Sequence, residues 1–176
     1  MIDYTKEELV EILEKHPEKF NEWKLEQEEV DLSEVDFSGM SFNEIDFSNV
    51  DLNSSSFADC SSSLVNFTGA DLTSVDFTRA KIIESDFSET SLNGADCSYA
   101  EMTYCNFTDA DMAGCVLCEC DLSNSDLSAS YNLHASRYDS DTIWPDTDMM
   151  PEDFEANYSD DLSSLKDEED NTVSDY

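Results

Sequence analysis

From residue 30 to residue 129 the chain repeats every five residues without an insertion, and no other feature restricts its fold as tightly. It reads VDLSE VDFSG MSFNE IDFSN VDLNS and continues in this phase for twenty units. The third position of each unit is apolar or Cys in nineteen of them, Ser62 being the exception. The first position is mostly small or apolar, as at Val35, Ala70 and Cys105. The second is Asp in eleven units and Asn in two. A period of five fits neither the 3.6 of a helix nor the 2 of a long strand. Within a unit, however, positions one and three share a face of an extended chain. The last two positions, rich in Ser, Thr, Asn, Gly and Glu, suit a turn. Short extended strokes joined by turns make a coil, and the period alone leaves its number of sides open.

The pattern A-(D/N)-(L/F)-x-x resembles the pentapeptide-repeat family over residues 30–129. That resemblance implies an all-β solenoid, a right-handed quadrilateral parallel β-helix with first and third positions inward. Four sides of five residues give about five coils and a rod about 24 Å long at the usual strand spacing. Residues twenty apart should then stack, and the interior columns come out sorted. One holds Phe47, Phe67, Phe87, Phe107 and Leu127; another Phe37, Phe57, Phe77, Cys97 and Leu117; a third Leu32, Leu52, Leu72, Leu92 and Met112. The irregular column is Phe42, Ser62, Ile82, Met102 and Leu122.

An open rod exposes strand edges that invite aggregation, so caps are expected at both ends. Residues 1–29 read as an N-terminal α-helical cap. Thr5 and Glu8 have capping-box spacing, Leu9, Ile12 and Leu13 form one stripe on a helix over 6–15, and Pro17 opens a second turn carrying Phe20 and Trp23. The β-helix spans 30–130. Residues 131–156, with Tyr138, Ile143, Trp144, Met149 and Met150, read as a C-terminal cap, and Thr142 to Pro145 resembles a Thr-x-x-Pro segment that ends several family members. The acid-rich stretch 157–176 reads as a disordered tail.

A search for reactive chemistry is mostly negative. His16 and His134 fall outside the repeats and support no triad, and no glycine-rich phosphate loop occurs. Cys115 and Cys118 have C-x-x-C spacing, but the register turns Cys60, Cys97, Cys105, Cys115 and Cys120 inward on different sides and only Cys118 outward. They read as small buried hydrophobes, which points to a reducing, cytoplasmic compartment. No catalytic residue, cofactor or metal is expected, and the chain reads as non-enzymatic. Its 43 acidic residues against 8 basic ones, a formal charge of −35, argue against direct binding of nucleic acid or anionic lipid. No apolar run has membrane-spanning length, and the first residues lack the basic and apolar regions of a secretory signal.

The informative surface is the outward one. Residues 30–129 carry 19 acids against Arg79 and Lys81. Along the rod this is about one net negative charge per 1.4 Å, beside about 1.7 Å for duplex DNA. Sorted by side, Asp31, Glu34, Asp51, Asp71 and Asp111 share one side without a base. Asp46, Asp86, Glu89, Asp109 and Asp126 share its neighbour, making one ridge of ten carboxylates. Leu64, Arg79, Lys81, Ile83, Tyr99 and Tyr104 fall on the opposite corner, mildly apolar and locally basic. The family includes DNA mimics that protect DNA gyrase from quinolones. The resemblance therefore implies a nucleic-acid mimic whose ridge binds, and inhibits or protects, a basic DNA-handling enzyme such as a topoisomerase or nuclease. Absent repeat-interrupting loops and an absent C-terminal dimerisation helix set the chain apart from the gyrase-protecting members. The alternative is a protein-interaction scaffold using the Leu64–Tyr104 corner, with the acidity a solubility or halophilic feature. A monomer and a homodimer both fit.

Overall fold

The computed structural model describes residues 4–157. The expected disordered tail lies almost wholly outside these residues. Two helices, α1 (Lys6–Lys15) and α2 (Pro17–Lys24), precede a parallel β-helix. Short strands pair only with partners twenty residues away. On one side β1 (Val30–Asp31) pairs with β3 (Val50–Asp51). On another, β2 (Ser41–Asn43), β4 (Ser61–Ser63), β5 (Lys81–Ile83) and β6 (Glu101–Thr103) stack in that order. Isolated bridges continue the same spacing around the remaining turns, from Asp36–Ser56 to Asn106–Asp126. The four sides are numbered here by their first units: side 1 from 30–34, side 2 from 35–39, side 3 from 40–44 and side 4 from 45–49.

One hydrogen-bond rule builds the coil. The third-position N–H donates to the second-position carbonyl of the next coil, as Phe47 to Asn66 and Phe67 to Asp86, each 2.7 Å. The fifth-position N–H donates to the fourth-position carbonyl of the next coil, and the second-position N–H donates back to the preceding coil. Every fifth residue from 34 to 124 holds a positive φ, and only four of these are glycine. Side chains at the other corners therefore occupy the left-handed region that non-glycine residues disfavour.

The interior follows the sorted columns. Phe47, Phe67, Phe87 and Phe107 stack at centroid spacings of 5.6, 4.8 and 5.0 Å, with ring planes within 18°. Phe37, Phe57 and Phe77 form a second ladder at 4.8 and 5.3 Å. Ser62 is buried in register between Phe42 and Ile82, so the irregular column does not slip. Its hydroxyl meets only the Cys60 thiol, at 3.6 Å. Five cysteines are buried and Cys118 half-buried. Burial pushes the Cys60 thiol up to about 11 and that of Cys105 to about 12, so both stay protonated.

The N-terminal cap covers one end unevenly. Thr5 and Glu8 close a capping box, Leu9, Leu13 and Phe20 are buried, and Phe20 lies 5.5 Å from Phe47. Asn21 stands in for a missing coil: its Oδ1 accepts from the Asp46 N–H at 2.9 Å and its Nδ2 donates to the Glu44 carbonyl at 2.8 Å.

The C-terminal end departs from the expected cap. The chain makes a sixth coil in which Tyr131, Arg137, Ile143 and Met149 take the second-position places on the four sides. These residues are six apart, so sides 1, 2 and 3 have each gained one residue. The five-residue phase fades in the sequence while the coiling continues. Two short 3-10 turns, Leu133–Ala135 and Thr147–Met149, take up part of the extra length. Tyr138, Trp144 and Phe154 then close the end, with centroids 5.0–5.8 Å apart.

Phe67→Ala removes a ring in contact with Phe47, Phe57, Phe77 and Phe87. The expected loss is about 3–5 kcal/mol, read from the denaturant midpoint. Ser62→Leu adds apolar volume where other coils already hold Phe, Ile, Met or Leu. Thermal unfolding should show a neutral change or a gain of about 1 kcal/mol. A clear loss would mean the interior has no space at this coil.

Candidate functional site

The outward surface is built by the same turns that form the core. At the second position, the carboxylate Oδ1 accepts the N–H two residues on, as Ser33 to Asp31 and Asn53 to Asp51, both 2.9 Å, and Thr73 to Asp71, 3.0 Å. Asn66 and Asn106 do the same for Thr68 and Thr108, each at 3.0 Å. The turn thus needs a side-chain oxygen at this place but no charge. At the fifth position the case differs. Glu34, Glu44, Asp59, Glu84, Glu89, Asp109 and Glu119 sit at positive φ. Glycine or asparagine would serve that backbone better than glutamate.

The structure brings the ridge residues together but not as a bare row of charge. Asp31, Glu34, Asp51, Asp71 and Asp111 lie on side 1 and its corner, and Asp46, Asp86, Glu89, Asp109 and Asp126 on side 4 and its corner. The expectation that these sides meet no base is overturned at the N-terminal end. Lys6 donates to Asp31 at 2.7 Å and to the Ser33 carbonyl at 2.8 Å, while Lys24 meets Asp46 at 3.2 Å and the Ser48 hydroxyl at 2.9 Å. Both lysines come from the cap, more than twenty residues away in sequence. On side 4, Asp and Asn alternate from coil to coil. Asn66 donates to Asp46 and Asn106 to Asp86, each at 3.1 Å, so like charges do not stack directly there. Tyr131 donates its hydroxyl to Asp109 at 2.7 Å, and Asn93 and Asn132 donate to Asp111 at 3.0 and 2.8 Å. These two amides hold the Asp111 carboxyl below the usual range.

The expected basic corner is also corrected. Its residues occupy all of side 3: Arg79 and Tyr99 on one border, Leu64 and Tyr104 on the other, Lys81 and Ile83 between. Neither base is free. Arg79 grips Asp59 with two bonds of 2.8 Å, and Lys81 meets both Glu101 oxygens at 2.8 and 2.7 Å. Each pair links adjacent coils and cancels its own charge.

Sequence reasoning missed the acids of side 2, Asp36, Asp76 and Asp96. They share the second-position signal of the ridge, but Arg79 at the border of that side obscured them. With Arg79 bound to Asp59, none of the three has an ion-pair partner among the described residues. Through the five coils of residues 30–129, sides 4, 1 and 2 therefore form one continuous acidic surface, with Arg137 an exposed base on side 2 of the sixth coil, and side 3 is the mixed one. Among the described residues, no group of three or more His, Cys, Asp or Glu could hold a metal ion. No described helix is long and apolar enough to cross a membrane.

A family model for pentapeptide repeats matches eight copies across residues 31–69, 63–96, 70–109 and 100–131, more than half of the chain. The chain is a pentapeptide-repeat protein. Such proteins are generally structural or interaction proteins rather than enzymes. No curated protein matches the sequence. Among solved structures it is similar to a pentapeptide repeat protein of the Arabidopsis thaliana thylakoid lumen, 32% identical over 57% of this chain and 63% of that one, with a TM-score of 0.37. Rfr23 from the cyanobacterium Cyanothece 51142 is 21% identical over 72% of this chain and 99% of its own, with a TM-score of 0.43. QnrB1, a plasmid-mediated fluoroquinolone resistance protein, is 17% identical over 62% of this chain and 78% of its own, with a TM-score of 0.25.

The Lys6 clamp gives this pentapeptide-repeat protein an acid-sensitive end. The Lys6 ammonium, then the Ser33 hydroxyl and amide, hold the Asp31 carboxyl down at about 2. A carboxyl with a depressed folded-state pKa stabilises fully above its unfolded value of about 3.9, and that contribution disappears as pH falls through about 2. The melting-temperature gap between the natural chain and Lys6→Met should therefore narrow between about pH 4 and pH 2. A gap independent of pH would assign the clamp to the Ser33 carbonyl alone.

Proposed function

We propose that the rod is a non-enzymatic nucleic-acid mimic, holding the phosphate-binding cleft of a basic, DNA-handling protein against its acidic sides and so inhibiting or protecting that protein. A topoisomerase or nuclease is the kind of partner that fits. The observation that carries this reading is the set of fifth-position acids. Second-position Asp is accounted for by the turn, whereas Glu34, Glu44, Glu84, Glu89 and Glu119 serve no bond the fold requires and occupy backbone unsuited to them. A surface that accepts this strain to gain charge is built to be read by cations. Three adjoining, predominantly acidic sides present carboxylates within reach of side chains placed for phosphates. Rigid stacking fixes their spacing in advance.

Asp51→Asn, Asp71→Asn, Asp86→Asn and Asp109→Asn combined test the reading. Asn66 and Asn106 show that the amide keeps the second-position turn bond, so the fold should survive. Binding to a basic partner captured from cell extract should weaken, and the slope of log affinity against log salt should become shallower. An unchanged slope would remove mimicry. Unfolding of the natural chain in dilute buffer would instead mark the acid as an adaptation to high salt, because self-repulsion then goes unscreened.

A further inference from the structure

Side 3 carries a feature that charge mimicry does not use. Six large hydrophobics are exposed among the described residues, and four of them lie on this side: Leu64 (48%), Tyr99 (54%), Tyr104 (59%) and Ile143 (51%). Of the other two, Leu25 belongs to the cap, and Tyr131 sits on side 1 with its hydroxyl bound to Asp109. Leu64, Tyr99 and Tyr104 hold φ of 54°, 62° and 58°. Bulky side chains are uncommon there, and the turn does not ask for them. Along one border the residues run Glu44, Leu64, Glu84, Tyr104, alternating acid with apolar from coil to coil. Apolar groups thus recur every second coil, about 9.6 Å apart. Ile143, in the sixth coil, stands on the other edge of the side, paired with Asp121.

We propose that side 3 is a second docking surface, which receives a basic amphipathic α-helix of a partner protein laid along the rod axis. Residues seven apart on a helix are separated by about 10.5 Å, close to the double-coil interval. Its apolar stripe then meets Leu64 and Tyr104 in turn. Cations half a period away, about 5 Å along the axis, meet Glu44 and Glu84, with Glu119 and Asp121 on the opposite flank. A side about 10 Å wide from second to fifth position matches the width of one helix. A second copy of this chain fits less well. Side 3 offers only about 300 Å² at these dimensions, against about 800 Å² per partner in a stable interface. Its acids also outnumber its bases, so two such sides repel. An area of this size suits a transient contact. The surface lies opposite side 1, the middle of the acidic sides, and a helix here shares with the mimic only the border acids Glu44, Glu84 and Glu119.

The test uses the full chain and a labelled 21-residue peptide with Leu at the first position of each heptad, Lys at the fourth and fifth, and Ala elsewhere. A scrambled peptide of the same composition is the control. In anisotropy titrations at 300 mM salt, the patterned peptide should bind at least tenfold more tightly than the scrambled one. Leu64→Asn with Tyr104→Asn should reduce it to the scrambled level. The melting temperature of that variant should hold or rise, because Asn suits the left-handed position. The four-Asn variant of the acidic sides should keep the preference for pattern, which separates this surface from the mimic. Equal binding of the two peptides would overturn the proposal. So would indifference to the Leu64 and Tyr104 changes, or a concentration-dependent dimer in sedimentation that those changes abolish.

Discussion

The backbone ladder between coils governs the rest of this molecule. Because third- and fifth-position N–H groups bond carbonyls nineteen residues ahead, residues twenty apart are forced into one column. Whatever occupies a position therefore meets the occupant of the same position one rung away. For phenylalanine this is favourable and yields the two ring ladders. For aspartate it is unfavourable, since like charges at about 4.8 Å repel by up to about 1 kcal/mol in water. The chain answers in three ways: an Asn rung between Asp rungs on side 4, a cation on the next rung for Asp59 and Glu101, and lysines from the cap for Asp31 and Asp46. The same ladder fixes the fifth residue in left-handed backbone, which turns every corner into a statement about surface chemistry.

The interior was legible in the sequence because an uninterrupted period makes each core position predictable from any other. Ser62 illustrates this: a polar residue at a core place stayed in register, since the neighbouring rungs bind its backbone whatever its side chain. The capping helices were legible from Thr5, Glu8 and the Leu9–Leu13 stripe. Periodicity says nothing about contacts between a repeat and a non-repeat segment, so the clamps of Lys6 and Lys24 were hidden. The pairing of Arg79 with Asp59 was present in the register but masked by counting bases side by side rather than rung by rung. The sixth coil was hidden because one extra residue on each of three sides destroys the phase while leaving the bridges at Tyr131, Arg137 and Ile143 intact.

Surface and core are thus separable in this fold to an unusual degree. First and third positions answer to packing, the second to the turn, and the fifth to the outside. Glu89 and Tyr104 have the same left-handed backbone, so the fold itself does not dictate the difference between them. Acids on three sides and apolar groups on the fourth give the rod a polarity around its axis that the repeat itself does not require.

The covered ends of the rod carry a consequence for self-assembly. A β-helix of constant period ends in a rim that matches the start of any other copy, and such rods could grow end to end into fibres. Here Asn21 already holds the Asp46 N–H and the Glu44 carbonyl of the opening rim, and Phe20 lies over Phe47. Tyr138, Trp144 and Phe154 close the other end. A second copy would have to displace both covers before any strand could pair, so growth into fibres is opposed at each end.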